Sequence, residues 1–240
     1  MAPSPKAIPN TGPSYQDHHF RSNVNLGPRI TPTIPDGGKW SVYAEIDIPT
    51  PPVHPYNAII DIHDWREWNT FTPDVLVTKH PHPHSRTLKM EQGTFMTFTV
   101  QMTREERQSS KEVCRHLEPL KHVNDGHKSH ESGGNVTRIR WCLDNANLLA
   151  PSFILKTERV NEIEESQDGK TCKYRTWITF SGLGANSMKK KFGEALQARV
   201  VDYCEDLKER SIKLQKEEQA KRKGNTGGVN GNAAGANGVS

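Results

Sequence analysis

This chain of 240 residues has no long hydrophobic run, no close pair of cysteines and no large surplus of either charge. No stretch approaches the ~20 apolar residues that a membrane-spanning helix needs. Cys114, Cys142, Cys172 and Cys204 form no Cys-x-x-Cys pair, which fits isolated reduced thiols rather than a disulfide framework or a zinc site. The 32 basic and 28 acidic residues are interspersed and leave a formal charge of +4. A phosphate-binding surface would gather Lys and Arg on one face with base-reading side chains among them, so nucleic acid is not an expected partner. The basic run at 189–191 reads as a solvated helix face, with transient contact to an anionic ligand or membrane surface as the alternative. Also missing are the Gly-x-Ser-x-Gly elbow, His-Glu-x-x-His, the phosphate-binding glycine loop and the dinucleotide fingerprint. Covalent catalysis is therefore not expected, and neither a cofactor nor a metal is implied.

Both ends are poor material for a core. Residues 1–39 hold seven of the 16 prolines, and residues 224–240 are rich in Gly, Asn and Ala and carry no charge. Such segments bury too little to offset the entropy of ordering them. The expected organisation is a disordered segment 1–39, one domain over 40–215, and a charged helix end running into a disordered tail over 216–240. A core region of roughly 180 residues buries about 70% of its unfolded surface and can hold an internal cavity. The first residues lack the apolar core of a secretory signal, and Asp17, Asp36 and the prolines argue against an amphipathic presequence, so the cytoplasm is the expected location.

Periodicity supplies the elements. Residues 40–48 alternate, with Trp40, Val42, Ala44, Ile46 and Ile48 on one parity and Ser41, Tyr43, Glu45 and Asp47 on the other, as in a half-buried strand. Pro49, Pro51 and Pro52 end it. Tyr56, Ile59 and Ile60 suit a short helix, and Asp64 is placed to cap a second one carrying Trp65 and Trp68, with Glu67 at the capping-box position. Further strands are expected at 75–77, 94–102, 111–117, 137–143, 153–164 and 171–181, the last two joined by an Asp168-Gly169 turn. A polar loop follows the fourth strand to Asn135. From Ala185 to about Lys223, apolar residues recur every three or four positions, which is one long helix. This order, an α+β arrangement, is that of a curved sheet gripping a C-terminal helix.

The residues themselves resemble a family. The run Trp40-Ser41-Val42-Tyr43-Ala44-Glu45-Ile46-Asp47-Ile48 followed by prolines, the turn Glu67-Trp68-Asn69-Thr70-Phe71-Thr72-Pro73, Arg138-Ile139-Arg140-Trp141, Glu158-Arg159-Val160, and Tyr174-Arg175-Thr176-Trp177 leading to Phe180-Ser181-Gly182 look like the START-like (SRPBCC) superfamily. The likeness is to its polyketide cyclase/dehydrase and coenzyme Q-binding groups, in fungal form, over residues 40 to about 215. It implies the helix-grip fold: a seven-stranded antiparallel sheet wrapped on the last helix, with two short helices after the first strand. It also implies a lipid, sterol, quinone or polyketide-like ligand held between sheet and helix. Some members of such families catalyse cyclase, aromatase or dehydratase reactions in the same pocket, and the long helix could alternatively recruit a protein partner.

Strand parity names the candidates. Met96, Phe98, Val100, Ile139, Trp141, Leu143, Tyr174, Ile178 and Phe180 should face Phe192, Leu196 and Val200 on the helix, with the entrance near Trp65 and Trp68 or at the loop before the last helix. Arg159 and Glu158 take opposite faces of one strand, so one of them points inward. Arg159 could hold a ligand oxygen through its fork of donors, and Tyr174 could position a carbonyl. These two are the candidate catalytic groups. His80, His82 and His84 alternate with prolines in an extended run that splays imidazoles apart, so they read as an exposed turn rather than a metal site.

Overall fold

The alternating stretches all become strands of one antiparallel sheet. A computed structural model describes residues 18–22, 25–85, 88–122, 136–145 and 151–226. The strands are β1 (Trp40–Ile48), β2 (Asp74–Lys79), β3 (Phe95–Gln101), β4 (Arg107–Leu117), β5 (Val136–Leu143), β6 (Lys156–Glu165) and β7 (Cys172–Ser181), in the order β1-β7-β6-β5-β4-β3-β2. The helices are α1 (His18–Arg21), α2 (Val53–Ile60), α3 (Trp65–Trp68) and α4 (Ala185–Thr226). Strands β2 to β7 form a meander, and β1 closes it beside β7. The expected polar loop falls largely at 123–135 and the expected tail at 227–240, both outside the described residues.

Two strand starts differ from the hydrophobic reading. β4 begins at Arg107, where polar residues continue the ladder by pairing Gln101 with Arg107 and Thr99 with Ser109. β6 begins at Lys156, because residues 152–154 form a turn closed by Ile154 N–H on the Pro151 carbonyl at 2.8 Å. Phe153 is therefore exposed rather than on a strand. Asp64 does stand before α3 but makes no side-chain cap. Its carboxylate instead accepts from Arg210 Nη2 at 2.7 Å, and Glu67 accepts from Arg210 Nη1 at 3.2 Å, so both acids tie α3 to α4.

The largest correction concerns residues 25–39, which are ordered. They lie on the convex face, where Arg29 N–H donates to Ser41 Oγ at 2.9 Å and Thr179 Oγ1 donates to the Arg29 carbonyl at 2.7 Å. Trp177 Nε1 donates to the Ile30 carbonyl at 3.1 Å. The Arg29 guanidinium is spent on the backbone carbonyls of Phe20, Ser22 and Asn25, and it lies over the Tyr43 ring at 4.9 Å. Burial lowers its pKa to about 10. The supposedly polar face of β1 is thus covered, and Ser41 and Tyr43 are fully buried. This segment succeeds without a core of its own because backbone groups and one cation supply the contacts. At Gly38 (φ +67°) a Cβ would come within 2.5 Å of the Phe180 carbonyl, the close approach that lets Lys39 N–H join that carbonyl at 2.8 Å.

The apolar stripe of α4 crosses the concave face. Trp40 Nε1 donates to the Ala185 carbonyl at 2.7 Å, and Gln197 accepts from Tyr43 N–H at 3.0 Å while donating to the Tyr43 carbonyl at 2.6 Å. On the far side of the crossing, Asp206 accepts from Thr70 N–H and its hydroxyl at 2.8 and 2.7 Å. Among the described residues, no helix is long and apolar enough to cross a membrane.

Candidate ligand pocket

Sheet and helix do not meet evenly. At one end, Trp65 is fully buried, its indole donating to the Ile59 carbonyl at 3.1 Å, and its ring packs against Trp68, Phe98, Trp141 and Tyr203 with centroids 5.5 to 6.3 Å apart. At the other end a cavity of about 280 Å³ remains, and its walls are mainly apolar. Phe98, Val100, Trp141, Leu143, Arg159, Ile178, Phe192 and Leu196 line it, as strand and helix parity predict. Trp65, Trp68, Met96, Ile139, Tyr174 and Val200 do not. Trp65 stands one layer behind the wall, since its neighbours Phe98 and Trp141 are the lining residues. Gln108 and Ser109 are the exposed members of the lining. The opening therefore lies by the start of β4, with Met188 in the first turn of α4 on the rim, and not beside α3.

Arg159 is the inward member of its pair. Glu158 takes the convex side, accepting from Arg140 Nη1 at 3.0 Å and from Thr33 N–H at 2.7 Å. Arg159 is 4% exposed, donates through Nε to Thr176 Oγ1 at 3.0 Å, and lies over the rings of Tyr203 at 4.1 Å and Trp141 at 5.2 Å. Its Nη2 is buried with no acceptor. The aromatic faces offset part of the cost of burying the cation, but an unmade bond of this kind costs about 1–3 kcal/mol. The orphan donor sits on a group that lines the cavity. Tyr174 is not available in the same way: it is fully buried and its hydroxyl donates to Asn161 Oδ1 at 2.6 Å. Burial holds that hydroxyl far above the ordinary phenol range.

Sequence reasoning missed Glu112. It lines the cavity from β4, is 9% exposed, and accepts from the Ser110 hydroxyl. Burial is the chief cause that pushes its pKa up to about 7, with Asp144 adding to the rise and Arg159 and Ser110 opposing it. Ser110 and Thr157 add further polar groups to the same wall. The signal was available in principle: extending β4 back to Arg107 puts Gln108, Ser110 and Glu112 on one parity, facing inward. Phe180 and Met102, which strand parity also turns inward, complete the lining with Leu155, Met188, Phe71 and Thr72.

Two other features are accounted for without a ligand. His80 Nε2 donates to the Lys89 carbonyl at 2.8 Å while Nδ1 accepts from His82 N–H at 3.0 Å, so its ring is committed to the loop. A larger, more open groove of about 650 Å³ runs along the ends of β1, β6 and β7. Four of its charges pair with one another, Lys173 with Asp47 at 2.7 Å and Arg175 with Glu164.

A hypothetical protein of Helicobacter pylori superposes with a TM-score of 0.57 at 13% identity, covering 77% of this chain and 96% of that one. Seven antiparallel strands in this order, two short helices after the first and a terminal helix in the grip settle the architecture. The fold is the START-like helix grip. A START superfamily protein of Mycobacterium smegmatis scores 0.47 at 11% identity over 72% of this chain and 98% of its own. In sequence, the chain is 29% identical over 156 residues to "Oxopyrrolidines biosynthesis cluster protein O" of Penicillium oxalicum, spanning 62% of this chain and 73% of that protein. No family model matches the chain.

Proposed function

We propose that this protein binds a compact, largely apolar small molecule carrying a carbonyl or anionic oxygen, in the cavity between the sheet and the first half of α4. The observation that carries the reading is Arg159, which lines an apolar cavity and keeps a buried Nη2 donor without an acceptor. A ligand oxygen at that point would satisfy it, and the apolar remainder would rest on Phe98, Val100, Leu143 and Phe192. The volume of about 280 Å³ is at the lower edge of the ~300–1,000 Å³ of ligand pockets. That size favours a ring-sized quinone or polyketide-like compound over an intact sterol or phospholipid. Likeness to a protein named for an oxopyrrolidines biosynthesis cluster is in keeping with such a ligand. The four cysteines are buried and free, which supports a reducing, cytoplasmic setting.

Mild extraction of the purified protein followed by mass spectrometry tests the reading. A retained or exchangeable apolar compound, lost in Arg159→Met, is the expected result. Failure of wild-type protein to retain any such compound or to take one up from a panel of quinones and aromatic ketones would remove the reading.

A further inference from the structure

The binding reading leaves Glu112 unused, and that carboxyl occupies an unusual place. Most inward positions around the cavity are apolar, yet β4 presents a carboxyl to it, and the described ion pairs contain no partner for that group. The register fixes where it stands relative to the guanidinium. Glu112 pairs with Leu143 on β5, and Arg159 pairs with Trp141 on the same strand. The two residues thus lie on strands either side of β5, offset along it by two residues. With ~4.8 Å between strands and ~3.4 Å per residue, their Cα atoms are about 12 Å apart. Both side chains line the one cavity, so a ligand held there lies within reach of the carboxyl and of the guanidinium.

We infer that the pocket transfers a proton on an enolisable ketone, with Glu112 as the acid–base group and Arg159 as the cation that holds the oxygen. The inference rests on the binding reading and adds a reaction to it. In the forward step the C–H bond beside the carbonyl breaks and its proton goes to a Glu112 carboxylate oxygen. The electron pair forms the C=C bond, and the former C=O pair becomes the enolate oxygen, held by Arg159 Nη2–H. Returning the proton to the same carbon gives exchange, and returning it to a conjugated carbon or to oxygen gives an isomer, so no oxidant or co-reactant is consumed. The apolar walls make the oxyanion contact worth more than it would be in water. A carboxyl that titrates near neutral pH, as burial makes this one do, has both the form that removes a proton and the form that returns it.

The test uses 2-tetralone, an aromatic ketone small enough for the cavity, with full-length protein in D2O. Binding is read by quenching of tryptophan fluorescence, since Trp141 lines the site, and exchange is read as loss of the benzylic α-proton signal by NMR against a buffer blank. Wild type should accelerate exchange at least ~100-fold, the scale of general acid–base catalysis, with the rate rising through the Glu112 titration. Glu112→Gln should still quench but exchange near the blank rate. Carbon-13 labelling of glutamate should show one carboxyl titrating near pH 7 in wild type and missing in that variant. Binding with blank-rate exchange in wild type, full activity in Glu112→Gln, or a Glu112 titration in the ordinary carboxylate range each overturns the inference while leaving the binding reading in place. Absence of quenching by 2-tetralone and by 1-indanone, in protein that retains another apolar compound, overturns the substrate class. Absence of any bound compound removes both readings.

Discussion

The same helix closes both ends of the concave sheet, yet one end is solid and the other hollow. Where Trp65, Trp68, Tyr174 and Tyr203 converge, aromatic rings fill the depth between sheet and helix with centroids within 5.6 to 6.3 Å of their neighbours. A few residues away, the inward positions carry Val100, Ser110, Leu143 and Thr157, and the shortfall in side-chain volume is left as the cavity. Backbone curvature does not by itself make a pocket; the size of the side chains laid on it does. The ring cluster serves as a stop that fixes Phe98, Trp141 and Arg159 at the boundary.

The contrast predicts opposite responses to substitution. Trp65→Ala at the solid end should cost about 3–5 kcal/mol, as for large aromatic-to-alanine changes in cores, measured by urea denaturation. Loss below 1 kcal/mol would mean that this end is not packed as described. Glu112→Gln at the hollow end should do the reverse, and its effect depends on pH. The folded carboxyl has a pKa raised from 4.5 to about 7. Below 4.5 both states are protonated and nothing is gained or lost; as pH rises from 4.5 to 7 the unfolded chain gives up its proton first, and stability falls. Above 7 the loss is complete, at most about 3 kcal/mol. The glutamine variant should therefore be more stable than wild type at pH 8, with the difference vanishing by pH 4. A pH-independent difference would place Glu112 in an ordinary environment.

Smaller effects sharpen the comparison. Arg159→Met removes a buried donor without an acceptor but also the Nε bond to Thr176, so stability should change by about 1 kcal/mol or less in either direction. Ligand affinity should fall at least 10-fold, by about 1.4 kcal/mol. Calorimetry of folding and binding on one preparation separates the two. Leu143→Phe, which fills the cavity, should change stability by about 1 kcal/mol or less in either direction while blocking uptake of any compound that wild type retains.

Much of this was legible beforehand because alternation in a strand with one apolar face leaves little freedom of register. Met96, Phe98 and Val100 on β3, and Trp141 and Leu143 on β5, fell on the predicted side for that reason. What parity could not supply was depth. Trp65 and Phe192 read alike as bulky apolar residues, and only the three-dimensional assembly shows one as plug and the other as wall. Glu112 was hidden by its chemistry: an acidic residue in a polar stretch, Arg107 to Glu112, carries no hydrophobic signal to reveal that its strand faces inward. The ordered segment 25–39 was hidden for a related reason. Its hold on the convex face comes from backbone carbonyls and from Arg29, neither of which hydrophobicity registers.

The pairing of Gln197 with both backbone groups of Tyr43 has a consequence for motion. β1 is an edge strand, and lifting α4 from it would strip a donor and an acceptor at once and leave the edge open to another chain. Breathing of the helix would then hinge on the β1 side and part at the β3–β4 turn, where, among the described residues, the exposed Lys191–Glu106 ion pair at 2.9 Å links the helix to the turn. That is the side on which the cavity already opens, so traffic in and out need not disturb the seal that keeps the sheet from joining a neighbour.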